Sequence, residues 1–513
     1  DCTVQSHCIA VEPVETAYGR KRRISPTSCN TDLSCLKGFC PSFVTAPAHA
    51  AAAPAESPWL AREAELAVGL PDPALPSAHR PWRGLFGGIG GGGIVTAGAV
   101  VAMAAHLEGR QVATLDFTGL AQKNGAVVSH IQIADPDAGG DALDVVRIPT
   151  DEADFVLAAD LAVSAGADVL ERCRANAAVV GNLDVQAGAG FLTSRDLRVD
   201  AALHRRIIER RTGAAQSRYL HAAALSERLF GSAQVLNTVL LGMAWQMGLV
   251  PVGQPALMRA FELNGTAVAL NRRAFLWGRL LADDPTLAEA ILGEERADAS
   301  SDGGLDALIE RRAAELAAYQ DERLAARYRA LVARAAEREA AVAGRSGALV
   351  RAVAEGYFRV LAYKDEYEVA RLHAAAGLPP GAAVHLSPPL PLGRDPATGR
   401  RRKIAVPGWA ALPLFRALRH GKRLRGTALD PFGLQADRRA ERQMIADYET
   451  DLARVLDGLR ADQVADAAAL ARLPLDVRGF GPVKAASARQ AQGKRAALLS
   501  KLGQPSPAIL AAE

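Results

Sequence analysis

Several signatures are missing from this 513-residue sequence, and each absence removes a class of function. Gly-Asp-Gly, which opens the motif supplying metal and pyrophosphate ligands to thiamine diphosphate, occurs nowhere, so the chain does not anchor that cofactor in this manner. There is no Gly-Lys-Ser/Thr phosphate loop and no His-Glu-x-x-His, which leaves ATPase and metalloprotease readings unsupported. The ten histidines are scattered rather than spaced as ligands, and His7 beside Cys8 reads as a neighbour. A formal net charge of +4 is too small to argue for nucleic acid as a partner. Beyond residue 40 cysteine is reduced to Cys173, which reads as a small buried hydrophobe in a predicted helix, Ala167–Arg174.

A membrane span is lacking too. Leu85 to Ala105 carries no charge and is long enough to cross a bilayer, but it contains Gly87, Gly88, Gly90, Gly91, Gly92, Gly93 and Gly98. Such a block is poor helix material in its first half, whereas a short strand, a glycine loop and a helix Ile94–Leu107 account for every residue. With 49% hydrophobic and 23% charged residues, the composition is that of a globular protein of several domains.

What is present is concentrated at the start. Cys2, Cys8, Cys29, Cys35 and Cys40 lie in the first forty residues, and Pro41 follows the last of them. A disulfide framework suits small secreted domains that cannot build a core, which a chain of this length does not need. Structural zinc sites normally use paired C-x2-C ligands, and no such pair occurs here. Iron–sulfur clusters accept irregularly spaced thiolates and often end on Cys-Pro, so the spacing favours iron–sulfur, with zinc the rival. Five is too many for one four-cysteine site and too few for two. Clustered thiols point to a reducing compartment, and the expected location is the cytoplasm.

The run Asp1-Cys2-Thr3-Val4-Gln5-Ser6-His7-Cys8, then Gly19-Arg20-Lys21-Arg22-Arg23-Ile24 and Ser34-Cys35-Leu36-Lys37-Gly38-Phe39-Cys40-Pro41, resembles the iron–sulfur segment of the long, fused indolepyruvate ferredoxin oxidoreductases. In that family further cysteines lie upstream, so the resemblance implies a C-terminal portion of a longer chain. His7 stands where the family usually has Asn.

After Val44 the sequence becomes rich in Ala and Pro, which reads as a linker with a helical turn or two around Trp59 to Val68. From Pro81 apolar strand runs alternate with helical ones: Gly84–Gly87, Val112–Phe117, Ala126–Ile133, Phe155–Ala158 and Ala177–Asn182, with mostly helix from Ala201 to Arg279. That alternation is the signature of an α/β domain. The loop Gly88-Ile89-Gly90-Gly91-Gly92-Gly93 has two readings. It either cradles a dinucleotide at a helix N-terminus, with Asp116 reaching the ribose, or lets the helix pack closely. The loop, Gly119–His130, Asn237, Glu262-Leu263-Asn264-Gly265, Asn271, Phe275, Trp277 and Gly278 resemble the gamma domain of 2-oxoacid:ferredoxin oxidoreductases, which is not a nicotinamide site; Gly92 departs from the usual Thr.

Leu305 to Val342 carries apolar residues at helical spacing, one long or two short amphipathic helices, and a second helical run spans Ala348 to Ala374. The carboxylates of Tyr363–Glu368 read as surface ion pairs within that run. Arg400 to Lys403 with Arg416, Arg419, Lys422, Arg423 and Arg425 form a basic segment, either a solvated surface or a docking face for an acidic electron carrier.

The expectation is thus an iron–sulfur segment over 1–45, an Ala/Pro-rich linker over 46–80, a gamma-type α/β domain with a mainly parallel sheet over 81–285, and a mostly α-helical C-terminal domain over 300–513. The resemblance implies oxidative decarboxylation of a 2-oxoacid, an aryl pyruvate such as indolepyruvate, to its acyl-CoA. Thiamine diphosphate and Mg would sit on an upstream portion, and coenzyme A would be the co-substrate. Electrons would leave through 4Fe-4S clusters to ferredoxin. Cys2, Cys8, Cys29, Cys35 and Cys40 are then the metal ligands, split between two cubanes completed from upstream, with Arg20 to Arg23 beside them. The expected partners are ferredoxin and the thiamine-binding half, in a homo-oligomer, with neither nucleic acid nor membrane. This portion alone would be inactive. The alternatives are a zinc-stabilised, non-catalytic assembly module and a nicotinamide-linked oxidoreductase using the glycine loop.

Overall fold

The computed structural model describes residues 6–14, 16–25, 29, 31–38, 40, 43–47, 57–119, 125–138, 143–184, 194, 197, 199–299, 304–344, 347–387 and 403–503. The chain divides into two compact units, one of His7–Cys35 with Ala53–Ala299 and one of Asp1–Ser6 with Leu36–Ala52 and Ser300–Glu513.

The first unit begins with an antiparallel hairpin of β1 (Val11–Val14) and β2 (Lys21–Ile24), which pairs Val11 with Ile24. Its main sheet follows β3 (Phe43–Thr45), a strand of the second unit, and uses β4 (Trp82–Ile89), β5 (Gln111–Thr118), β6 (Ala126–Ala134), β7 (Ala153–Ala158), β8 (Cys173–Asn182) and β9 (Arg218–Leu220). The order is β5-β6-β4-β7-β8-β9. β6 pairs antiparallel with both neighbours while the other pairs are parallel, so β6 alone runs against the rest. The sheet is therefore mainly parallel. The central strands are buried on both faces, which is why Phe155-Val156-Leu157-Ala158 and Ala177-Ala178-Val179-Val180 read as unbroken apolar runs.

Helices cover that sheet: α1 (Ile94–Leu107), α2 (Ala201–Thr212), α3 (Ala222–Phe230), α4 (Leu236–Gln246), α5 (Gln254–Asn264), α6 (Val268–Asp283) and α7 (Thr286–Ala299). α4 and α6 cross with their backbones in contact, since a Cβ on Gly242 would lie 2.1 Å from the Phe275 carbonyl and one on Gly278 2.1 Å from that of Val239. Two expectations change. The helix expected over Ala167–Arg174 stops at Leu170, because Cys173 pairs with Ala153 and opens β8. The stretch expected as a linker packs from residue 57 onward: Leu60 and Ala78 join the core, and Glu63 accepts hydrogen bonds from Arg273 (3.0 Å) and Trp277 (2.7 Å). Proline limits helix length here without preventing burial.

The second unit holds a small antiparallel sheet, ordered β11-β10-β3, with β10 (Ala383–Leu386) and β11 (Ile404–Pro407). Its helices are α8 (Gly304–Tyr319), α9 (Glu322–Ala343), α10 (Ala348–Leu361), α11 (Glu366–Ala376), α12 (Gly408–Leu418), α13 (Ala436–Asp457), α14 (Val464–Arg472) and α15 (Pro482–Leu502), of which α11 and α12 pack on the sheet. The periodic stretch from Leu305 resolves into two helices because Asp321 caps α9, accepting from the Leu324 amide at 2.9 Å. The core contains a stack of Tyr328, Tyr357 and Tyr448 with centroids 6.0 and 5.5 Å apart. Asp365 departs from the surface-pair expectation. It caps α11 from a buried position and pairs with Arg425, whose guanidinium nitrogens lie 2.6 and 2.9 Å from its carboxylate oxygens. Among the described residues no helix is long and apolar enough to cross a membrane.

Candidate functional site

The cysteine segment is organised by the β1–β2 hairpin. A turn closes it, in which Thr16 Oγ1 donates to the Gly19 carbonyl (2.7 Å) and Gly19 takes φ +81°. At the open end the Ser25 amide donates to the Ala10 carbonyl (2.8 Å) and the Val11 amide reaches back to the Cys8 carbonyl (3.4 Å). Cys8 thus enters the hairpin that Ser25 leaves toward Cys29. Cys8, Cys29, Cys35 and Cys40 are half-buried thiols with no disulfide. The first three belong to the first unit and Cys40 to the second, while Cys2 lies outside the described residues.

Two local features surround these thiols. The Thr31 amide donates to Cys29 Sγ from 3.3 Å. Among the described residues, His7 (φ +52°), Thr31 (+55°) and Leu33 (+57°) are left-handed without being glycine, and each lies within two residues of a cysteine. A β-branched threonine there costs on the order of 1–3 kcal/mol and persists only where the surroundings dictate the backbone. The structure does not bring these thiols together as a ligand set: among the described residues, the group of three potential metal-ligand atoms within 4.8 Å of one another is His79, Asp135 and Asp137, on the exposed rim of the sheet, and includes no cysteine. No sequence pattern announced Thr31 or Leu33, since neither type favours that conformation.

The glycine loop is built for packing. The Gly90 amide donates to the Gly125 carbonyl (2.7 Å) and the Gly92 amide to that of Ile89 (3.1 Å), so both are already satisfied. Gly91 and Gly93 have φ of +83° and +85°, and a Cβ on Gly88 would lie 2.6 Å from the Ile94 side chain. Buried Asn237, from α4, donates to the Gly92 carbonyl at 2.5 Å. Next to it Thr238 donates to Asn271 Oδ1 (2.8 Å), and the Asn271 amide holds the Thr266 carbonyl (3.0 Å) ahead of left-handed Ala267. Asp116 accepts from Ser129, its cross-strand partner, at 2.5 Å. These contacts fit close helix packing better than a dinucleotide cradle.

At the carboxyl edge of the sheet, buried Asn182 accepts from the Ala222 amide (3.0 Å) and Asp184 from the Ala224 amide (2.9 Å) and contacts His221 Nδ1 (2.7 Å). The two side chains cap α3. His130, buried in β6, accepts from the Ile148 amide through Nδ1 (3.1 Å), and burial, with Arg172 and Arg147 nearby, pushes its pKa down to about 4. Cys173 is fully buried and donates to the Val169 carbonyl (3.3 Å), and burial pushes its thiol up to about 12, so it is a packing residue.

Residues 83–280 match the model of the pyruvate ferredoxin/flavodoxin oxidoreductase family, and residues 305–497 match that of a family of unknown function, DUF6537. The stretch 83–280 is thus similar to the domain which that oxidoreductase family model describes. Among solved structures, the chain is similar to pyruvate oxidoreductase subunit PORC of Thermotoga maritima, at 17% identity over 39% of this chain and 96% of that one, with a TM-score of 0.29. It is also similar to the gamma subunit of a keto/oxoacid ferredoxin oxidoreductase of Geobacter sulfurreducens (22% identity, 39% and 98% covered, TM-score 0.28). A third is the 2-oxoglutarate:ferredoxin oxidoreductase of Magnetococcus marinus (18%, 40% and 31%, TM-score 0.30). No curated protein matches the chain.

Proposed function

We propose that this chain is the electron-relay and scaffold portion of a thiamine-diphosphate-dependent 2-oxoacid:ferredoxin oxidoreductase acting in the cytoplasm on indolepyruvate or a related aryl pyruvate. The observation that carries this reading is the family match over residues 83–280. Thiamine diphosphate with Mg belongs to a partner portion, coenzyme A is the acyl acceptor, and ferredoxin takes the electrons.

Cys2, Cys8, Cys29, Cys35 and Cys40 are the proposed ligands of 4Fe-4S clusters, which supply one-electron storage and transfer when bound. The chain's own part is to hold thiolates and tune them. The Thr31 amide donates to the Cys29 sulfur at 3.3 Å. The basic strand β2 adds positive charge, although Arg23 is already engaged by Glu12 and Glu227.

The test is an anaerobic comparison of Cys8→Ser, Cys29→Ser, Cys35→Ser and Cys40→Ser with Cys173→Ser. The first four should each lower the broad visible absorbance and the acid-labile sulfide, while Cys173→Ser keeps both. Equal loss or equal retention across all five would rule out the assignment.

A further inference from the structure

We infer that the exposed face of α12 and the turns after it form a docking surface for a small acidic electron-carrier protein; this rests on the reading of the N-terminal thiols as cluster ligands. From residue 396 to residue 429 the sequence contains no Asp or Glu, yet it carries Lys403, Arg416, Arg419, Lys422, Arg423 and Arg425 among its basic residues. The structure sorts them. Arg425 is buried against Asp365, Lys422 donates to the Ala318 carbonyl (2.6 Å), and Lys403 is held by backbone carbonyls. Arg416, Arg419 and Arg423 are exposed and form no ion pair among the described residues.

Large apolar side chains in and just after the same stretch are exposed too. Trp409 is 80% exposed, Leu414 54%, Leu429 77% and Leu434 82%. Trp409 and Arg416 lie seven residues apart on one stripe of α12, while Ala411 and Phe415 on its other side pack with Val384 of β10. Folding therefore uses the inner stripe and leaves a Trp and three Arg outside, the residue types that dominate protein interfaces. A run of cations with no carboxylate between residues 396 and 429 favours an acidic partner.

The carrier assignment comes from what shares this sheet. Lys403 Nζ donates to the carbonyls of Leu36 (2.9 Å) and Gly38 (2.6 Å) and lies 4.7 Å from the centre of the Phe43 ring. Phe43 starts β3, which pairs with β10, and α12 begins where β11 ends. The flanks of Cys40 and the docking face are thus built on one three-stranded sheet. The step is a single electron passing from reduced cluster to oxidised carrier, with no bond made or broken.

The test titrates a small acidic ferredoxin into the anaerobically reconstituted full chain at low salt. Wild type should bind with an affinity that falls as salt rises, and the triple variant Arg416→Glu, Arg419→Glu, Arg423→Glu should bind about tenfold or more weakly. Trp409→Ala should weaken binding without changing the salt slope, and exposed Arg454→Glu on α13 should change nothing. Iron content, measured on each sample, separates the two claims: charge-dependent binding without iron keeps the docking face and ends the cluster reading. Wild-type affinity in the triple variant, no binding of the carrier, or tighter charge-dependent binding to anionic vesicles or duplex DNA would overturn the proposal.

Discussion

Removing either half of the buried Asp365–Arg425 pair should cost more than the pair itself contributes. The side chains are 3% and 4% exposed, the contact is bidentate at 2.6 and 2.9 Å, and the guanidinium also donates to the Tyr319 carbonyl (2.9 Å) with its carbon 3.7 Å from that ring's centre. At an effective dielectric of about 20, opposite charges about 4 Å apart attract by roughly 4 kcal/mol, and desolvation offsets much of this. Deleting one partner strands the other charge, so Asp365→Asn or Arg425→Met should each destabilise the second unit by about 3–5 kcal/mol. Asp365→Ala should lose about 1 kcal/mol more, because its carboxylate also caps α11. The double variant Asp365→Leu, Arg425→Met removes both charges and should be less damaging than the sum of the singles. Native-state hydrogen exchange on α8 and α11 reads the effect locally. Single variants within about 1 kcal/mol of wild type, or a double variant equal to the sum, would refute the reasoning.

Two further outcomes are expected. His130 has a folded pKa of about 4 against an ordinary 6.5, so the unfolded chain binds the extra proton first and stability is lost as pH falls from 6.5 toward 4. That loss, on the order of 3 kcal/mol, should be absent from the stability–pH profile of His130→Gln, and a profile unchanged from wild type would contradict it. Replacing Arg20, Lys21, Arg22 and Arg23 with Gln should lower the midpoint potential of the proposed cluster; no shift in a redox titration would dispose of the effect.

Much of the fold is legible where one physical signal dominates. α1 begins and ends as the glycine block and apolar run require, because only a loop of glycines followed by Ile-Val-Thr-Ala can turn and then pack. The apolar runs of β7 and β8 show a sheet covered on both faces. Cys173 misleads because its neighbours Val169 and Leu170 are apolar at helical spacing, while pairing with Ala153, distant in sequence, decides the strand. The Ala/Pro stretch misleads for the opposite reason: proline reports backbone preference, and burial of Leu60 and Ala78 is settled by partners elsewhere in the unit. Asp365 looks like one more acid in a charged run until Arg425, sixty residues on, folds onto it. The candidate ligands are legible from cysteine spacing, but the left-handed turns at Thr31 and Leu33 and the clamp of Lys403 on the Cys40 flank are not, since they arise from tertiary contact.

The central claim is that the N-terminal thiols hold iron and inorganic sulfide. Iron and acid-labile sulfide, counted per chain in protein purified without oxygen, test this most directly. The account predicts both elements in equal amounts, in multiples of about four per chain. Colourless protein containing zinc or no metal, and no sulfide, would contradict it.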